Sequence, residues 1–130
     1  VQMGTRFVAT HECDADIKFK QAFVDAKPED ATIINSPVGM PGRAIYNNFI
    51  QQARDGLTKP FKCIFHCVKT CNQEKTPYCI ARVLLNAMRG RLEHGFAFCG
   101  ANVGRVDKIV SVHELIRGLA QEYDGAAQKQ

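Results

Sequence analysis

Hydrophobic residues recur at helical spacing in four separate stretches of this chain, and this periodicity restricts its fold more than any other feature. The apolar positions are Phe19, Ala22, Phe23 and Ala26; Ile45, Phe49 and Ala53; Ile80, Val83, Leu84, Ala87 and Met88; and Val112, Leu115, Ile116 and Leu119. Short strand-like runs lie between these stretches, at Ala31–Ile34 and Phe96–Gly100. Helices that alternate with short strands predict an α/β fold.

Start and stop signals bound the first two predicted helices. Asp14 or Asp16 is suited to cap the first helix, and Pro28 ends it. The second helix is predicted to run from Arg43 to about Asp55.

The other two helices carry stronger local signals. Thr76-Pro77 opens the third, with Thr as the cap and Pro at the first helical position, where its missing N–H does no harm. Gly90 ends this helix. Ser111 and Glu114 form a capping-box pattern that predicts the start of the last helix.

The segment Ser36–Gly42 contains two prolines and two glycines, so we expect an irregular loop there. Two interpretations stay open. The loop either covers an active site as part of a cap, or simply connects a strand to a helix.

The first ten residues resemble a strand that is interrupted at Gly4-Thr5. A Gly followed by Thr at the carboxyl end of a strand leaves main-chain N–H groups free to meet an anion. The alternative is a glycine at a bulge or at a plain strand end.

Four separate stretches carry a family resemblance in the same order along the chain. They are Gln2–Phe7, Glu12-Cys13, Ser36–Ile45 and Phe96–Asn102. Together they resemble the carboxyl-terminal part of the nitronate monooxygenases, also called 2-nitropropane dioxygenases. These FMN-dependent enzymes are related to the FMN-dependent enoyl-acyl carrier protein reductases.

The resemblance implies a carboxyl-terminal fragment of a TIM (β/α)8 barrel. Residues 1–27 would be the last barrel strand and the following helix, residues 28–104 a helix-rich α/β cap insertion, and residues 105–130 the final barrel helix and tail. A complete barrel takes roughly 250 residues. We therefore expect that the 130 residues need the upstream barrel half of their own chain, and that alone they fold poorly, bind no flavin and are inactive.

The resemblance also implies a cofactor and its site. Gln2, Met3, Gly4 and Thr5 would hold the FMN phosphate, with a further hydrogen bond from the Thr5 hydroxyl. The stretch Gly100–Asn102 would lie near the flavin ring. In the family the catalytic base is a histidine on an earlier strand, so no catalytic residue is assigned within this chain.

The implied reaction is the oxidation of alkyl nitronates by molecular oxygen. An NAD(P)H-dependent flavin enoyl reductase of the same fold is the alternative, because both would share the phosphate site.

Four cysteines are clustered in sequence, as C-x3-C-x3-C-x7-C at Cys63, Cys67, Cys71 and Cys79. Four thiolates suit zinc or an iron–sulfur cluster, although this spacing fits neither template well. Reduced core thiols and disulfides are the other interpretations. A stand-alone four-cysteine metal-binding or interaction module is thus the alternative from a different class, and no metal ligand is assigned.

Charge and hydropathy exclude other classes of function. The net charge of +4 comes from basic residues scattered along the sequence, so no nucleic-acid partner is expected. The sequence contains no long apolar run and no signal-peptide pattern, so no membrane partner is expected and a cytoplasmic location is predicted.

Overall fold

The computed structural model describes residues 3–59 and 61–128. Its regular elements are five α-helices and two strands: α1 (Gly4–Val8), α2 (Ile17–Asp25), β1 (Ala31–Asn35), β2 (Pro41–Ile45), α3 (Asn48–Arg54), α4 (Ile80–Met88) and α5 (Val112–Ala127). Short 3-10 turns lie at Pro28–Asp30, Leu92–His94 and Val103–Arg105. Within the described ranges, no helix is long and apolar enough to cross a membrane.

The strands β1 and β2 form an antiparallel hairpin in which Ala31 pairs with Ile45 and Asn35 with Pro41. The segment around Phe98 adds one antiparallel bridge to β2, at Ala44. The predicted strand at Phe96–Gly100 is therefore reduced to this single bridge. The hairpin positions the 96–100 segment beside the structure's core.

The helix predicted from Arg43 to Asp55 is wrong in its first part. Arg43 and its neighbours belong to β2, and the helix α3 begins only at Asn48, where the Asn47 side chain accepts a hydrogen bond from the Ile50 amide at 3.0 Å. Pairing with β1 satisfies the backbone groups that a helix would have paired internally. The same pairing makes the end of the supposed irregular loop, Pro41-Gly42, part of a strand.

The strand predicted for the first ten residues is also wrong over Gly4–Val8, which is the helix α1. Backbone hydrogen bonds in this segment are local rather than between strands, since the Arg6 amide donates to the Met3 carbonyl at 3.1 Å. Strand-type pairing starts only at Thr10, which forms a parallel bridge with Val110. Val1 and Gln2 lie outside the described residues.

Three helix ends that depend on local signals agree with the prediction. The Asp16 side chain caps α2 by accepting from the Lys18 amide at 2.8 Å. The Ser111 hydroxyl accepts from the Glu114 amide at 3.1 Å, and the Glu114 carboxylate accepts from the Ser111 amide at 3.2 Å, which is the predicted capping box of α5. Gly90 follows α4 with a φ of +77°, a conformation that glycine adopts without strain.

The predicted start of the third helix is too early. The helix α4 begins at Ile80 with Cys79 as its cap, and the Thr76 hydroxyl donates instead to the Tyr78 carbonyl at 3.1 Å. This local hydrogen bond holds Thr76 in a turn rather than at a helix cap.

Two clusters of buried side chains form the core. One lies around Phe23 and Val103 and packs α2 against the segment before α5. The other lies around Phe96, which is 0% exposed and has its ring 5.9 Å from Tyr78 and 6.2 Å from Phe49. The second cluster joins the hairpin, α3 and α4.

Candidate functional site

A cleft of about 990 Å³ opens beside the amino-terminal end of α1. The residues Met3–Arg6 line one side, and Cys99–Asn102 line another. The remaining wall comes from the segment before α5 and from α5 itself. Its volume lies at the upper end of the roughly 300–1,000 Å³ typical of ligand sites.

Main-chain N–H groups are available at the start of α1. The first residues of a helix have no carbonyl partner within the helix, so the amides of Gly4 and Thr5 point beyond its end. Apart from the neighbouring residues and the backbone of α1, no described atom lies within 4 Å of where a Cβ on Gly4 would be. The helix surface at Gly4 therefore borders open space at the cleft.

Thr5 joins this helix to the opposite wall. Its hydroxyl oxygen accepts a hydrogen bond from the Gly100 amide at 2.7 Å, across 95 positions of sequence. The next residue, Arg6, donates from Nη1 to the Arg105 carbonyl at 2.9 Å. Two consecutive residues of α1 thus contact both ends of the segment Gly100–Arg105.

Charges of both signs line the cleft. The basic side chains are Arg6, Arg105, Lys108 and Arg117, and the acidic ones are Asp107, Glu114 and Glu122. Two of the acidic groups already have partners, because Glu122 lies 3.9 Å from Arg6 and Glu114 belongs to the capping box. The basic groups favour an anionic ligand. The attraction between the partly buried Arg6 and Glu122 is weak, because Glu122 is largely exposed.

Cys99 is the thiol that lines the cleft. Burial raises the pKa of this thiol, and the charge of Arg43 offsets part of the rise. Cys99 is therefore protonated near neutral pH and is poorly suited to act as a nucleophile.

The structure brings together most of the site residues predicted from the resemblance. Met3, Gly4 and Thr5 line the cleft with Gly100–Asn102, whereas Gln2 lies outside the described residues. The basic residues Arg6 and Arg105 were missed, because their positions carry no spacing signal. Only the contact between distant segments shows that they share a site.

The four clustered cysteines form no comparable site. Residues 61–79 contain no helix or strand, so the three thiols Cys63, Cys67 and Cys71 do not lie along one helical face. All six cysteines are free, and the described part of the chain contains no group of three or more His, Cys, Asp or Glu residues that could hold a metal. The structure thus offers no support for the metal-binding module.

Comparison with solved structures defines the class to which this fold belongs. The chain superimposes on FabK from Thermotoga maritima with a TM-score of 0.76 and 26% sequence identity, over 99% of this chain and 38% of that one. A mutant of the same FabK gives a TM-score of 0.71 at 26% identity, over 99% and 34% of the two chains. The chain thus has the α/β fold of part of FabK and spans a little over a third of its length.

The family follows from the sequence itself. The family model for nitronate monooxygenase matches residues 1–122, and the chain belongs to this family of FMN-dependent oxidoreductases. A comparison with curated proteins finds no match. The predicted family and the predicted cofactor, FMN, are therefore confirmed.

The residues around the cleft fit the phosphate end of FMN. The two outward-directed amides and the Thr5 hydroxyl, which keeps its own proton for donation, are donors that a phosphate accepts from, and the space at Gly4 is open. A hydroxyl can donate one hydrogen bond while it accepts others, so the contact with Gly100 does not prevent Thr5 from binding an anion.

Proposed function

We propose that this chain holds the FMN phosphate and covers the active site in a nitronate monooxygenase that oxidises alkyl nitronates with molecular oxygen. One observation carries the proposal. The segments Met3–Thr5 and Gly100–Asn102 line opposite walls of one cleft. They do so in a chain that matches the family over residues 1–122. Both segments were assigned to the FMN site by the resemblance.

The phosphate contacts follow from the geometry of α1. The amides of Gly4 and Thr5 donate to phosphate oxygens, and the Thr5 hydroxyl donates a third hydrogen bond. Met3 lines the cleft beside these groups, and Gln2, which precedes it in sequence, is proposed to contribute to the same site. Because the fixed end of the cofactor contributes binding energy far from the reacting atoms, it orients the flavin ring for reaction.

The other wall acts on the ring end of the cofactor. Gly100–Asn102 forms the wall of the cleft opposite Met3–Thr5, and by the resemblance it would lie near the flavin ring, where its glycine would permit close approach. FMN held by these residues would supply the redox chemistry between the organic substrate and oxygen. The residues of this chain bind and orient it and exclude water.

The resemblance assigns the proton transfer to a histidine on an earlier barrel strand. None of the described residues that line the cleft is a histidine. We therefore propose that the base lies in the upstream barrel half, which this segment needs to form a complete site. Residues 28–104 then serve as the cap, and residues 105–130 as the final barrel helix and tail. The proposal retains the cytoplasmic location predicted from the sequence.

An NAD(P)H-dependent flavin enoyl reductase is the second candidate. The likeness to FabK over 99% of this chain favours it. The phosphate site would be the same in both enzymes, so the described residues do not distinguish the two substrates.

The decisive experiment uses the full-length, FMN-loaded protein. Oxygen uptake is measured with an alkyl nitronate, and flavin reduction is measured anaerobically with NADH and NADPH. We expect rapid nitronate-dependent oxygen uptake and slow reduction by either nicotinamide. Rapid reduction by NADH or NADPH, coupled to the saturation of an enoyl thioester and without nitronate turnover, would favour the reductase instead.

A further inference from the structure

The segment Gly100–Arg105 is held from behind by packing and from the cleft side by hydrogen bonds. Val103 is 0% exposed in the core, and a Cβ on Gly104 would lie 2.7 Å from the backbone nitrogen of Pro28. The far end of the segment is thus fixed against the body of the protein. Ala101 and Asn102, by contrast, are exposed at the cleft.

The Thr5 hydroxyl fixes the near end. At 2.7 Å, the hydrogen bond from the Gly100 amide to Thr5 Oγ is short for an N–H donor. A Cβ on Gly100 would approach the same oxygen to 3.3 Å, so the backbone lies close against Thr5. Arg6 fixes the other end through the Arg105 carbonyl.

The hydroxyl of Thr5 has two roles available at once. It accepts from Gly100 and still has one proton to donate. When a hydroxyl donates to an anion, its oxygen becomes a better acceptor, because hydrogen bonds in a chain polarise one another. An anion at the end of α1 therefore strengthens the bond that Thr5 makes with Gly100.

We propose that Thr5 is a positioning residue that couples the bound phosphate to the order of the segment Gly100–Asn102. This inference rests on the proposed function, and it adds that the phosphate end of the cofactor fixes the wall near its ring end. Two hydrogen bonds carry this coupling. The Thr5 hydroxyl donates to the phosphate, and its oxygen accepts from the Gly100 amide. A flavin without phosphate lacks the first of these contacts.

The test is amide hydrogen exchange of the full-length protein, read at Gly100 without ligand, with saturating FMN and with saturating riboflavin. Thr5→Val removes the hydroxyl and keeps the shape, whereas Thr5→Ser keeps the hydroxyl. We expect Gly100 exchange to accelerate about five- to tenfold in ligand-free Thr5→Val, the factor that one ordinary hydrogen bond provides, and to stay near wild type in Thr5→Ser. FMN should slow the exchange further in wild type, and riboflavin should not.

Thr10→Val is the matched control. Thr10 is buried, and its hydroxyl donates to the Phe7 carbonyl and accepts from the Cys13 amide at 3.3 Å. Removing this hydroxyl should accelerate amide exchange at Cys13 and leave amide exchange at Gly100 unchanged.

The outcomes separate this inference from the proposed function. Equal Gly100 exchange in wild type and Thr5→Val, or equal protection by FMN and riboflavin, would overturn the inference even if FMN binds. If wild type does not bind FMN, the proposed function and the coupling to phosphate are both lost. Faster exchange in ligand-free Thr5→Val would still support the positioning role of Thr5.

Discussion

Two parts of this molecule contain conspicuous sequence motifs, yet in the described residues only one of them brings its groups together around a cleft. At the cleft, side chains of α1 contact Gly100 and Arg105 and so join segments far apart in sequence. In residues 61–79, which contain the clustered cysteines, no helix or strand forms and Ile64 is 66% exposed. The comparison teaches that a site forms where contacts between distant segments bring its groups together, and in the described residues the four cysteines are not gathered into such a group.

The largest expected effect contrasts Phe96, a core residue that precedes the cleft wall Cys99–Asn102 in sequence, with Phe65 of the cysteine segment. Phe96 is 0% exposed and packs against Phe98 with ring centroids 5.3 Å apart, whereas Phe65 is 41% exposed. Phe96→Ala should lower the free energy of unfolding by about 3–5 kcal/mol, because it leaves a cavity among aromatic rings. Phe65→Ala should change it by less than about 0.5 kcal/mol.

Urea unfolding of the full-length protein measures both values. A loss at Phe65 as large as that at Phe96 would show that Phe65 also belongs to the core.

A second pair of variants tests how tightly the core approaches the backbone. A Cβ on Gly95 would lie 2.2 Å from the Val83 carbonyl oxygen, so Gly95→Ala should destabilise the protein by about 1–3 kcal/mol. Gly125 lies within α5, and nothing in the described structure is within 4 Å of its Cβ position. Gly125→Ala should therefore stabilise the protein by about 0.5–1 kcal/mol.

The two thermal midpoints should move in opposite directions. A common direction of change would contradict the packing described around Gly95.

The capping box of α5 gives a smaller effect with a pH signature. The Ser111 amide, which donates to the Glu114 carboxylate, lowers the pKa of that carboxyl from its ordinary value of 4.5. A lowered pKa in the folded state stabilises the protein above the unfolded value, and this contribution is lost as the pH falls through the folded value. Ser111→Ala should cost about 1 kcal/mol at pH 7.

Glu114→Gln separates the charge from the cap. Its destabilisation should be present at pH 7 and should disappear below pH 4.5, as wild-type Glu114 becomes protonated. Thermal midpoints measured from pH 3 to 7 show this trend. A constant difference across that range would exclude the charged hydrogen bond.

The smallest effect compares thiols from the two regions and leaves stability unchanged. Cys67 is exposed, whereas Cys99 is half-buried and burial raises its pKa. Cys99 should react with a thiol reagent about tenfold more slowly than Cys67 at pH 8, and its rate should still rise above pH 9. Cys67→Ser and Cys99→Ser identify the two phases, and equal rates would contradict the described burial.

Signals that act within a few residues were predicted well from the sequence. Asp16, Ser111 with Glu114, and Gly90 all have the expected roles, because caps and stops depend on neighbours three or four positions away. The hydrophobic period likewise located α2, α4 and α5, although α4 begins later than Thr76-Pro77 indicated.

Features that depend on distant partners were not predicted. Arg43–Ile45 was assigned to a helix, but this segment is a strand. Ile45 pairs with Ala31, and its amide donates to the Ala97 carbonyl at 3.0 Å. The α1 helix was missed because its short apolar run fits either period.

The site was reached through resemblance rather than spacing. Gly4-Thr5 alone is compatible with any strand end or bulge, and nothing in the sequence pattern connects Thr5 with Gly100. The four matched stretches made that connection, and the contact at 2.7 Å agrees with it.

The central claim is that the main-chain nitrogens of Gly4 and Thr5 bind the phosphate of FMN. A crystal structure of the full-length protein with FMN tests it most directly. The account predicts phosphate oxygens within about 3.2 Å of both nitrogens. A phosphate bound elsewhere, with the start of α1 facing solvent, would contradict it.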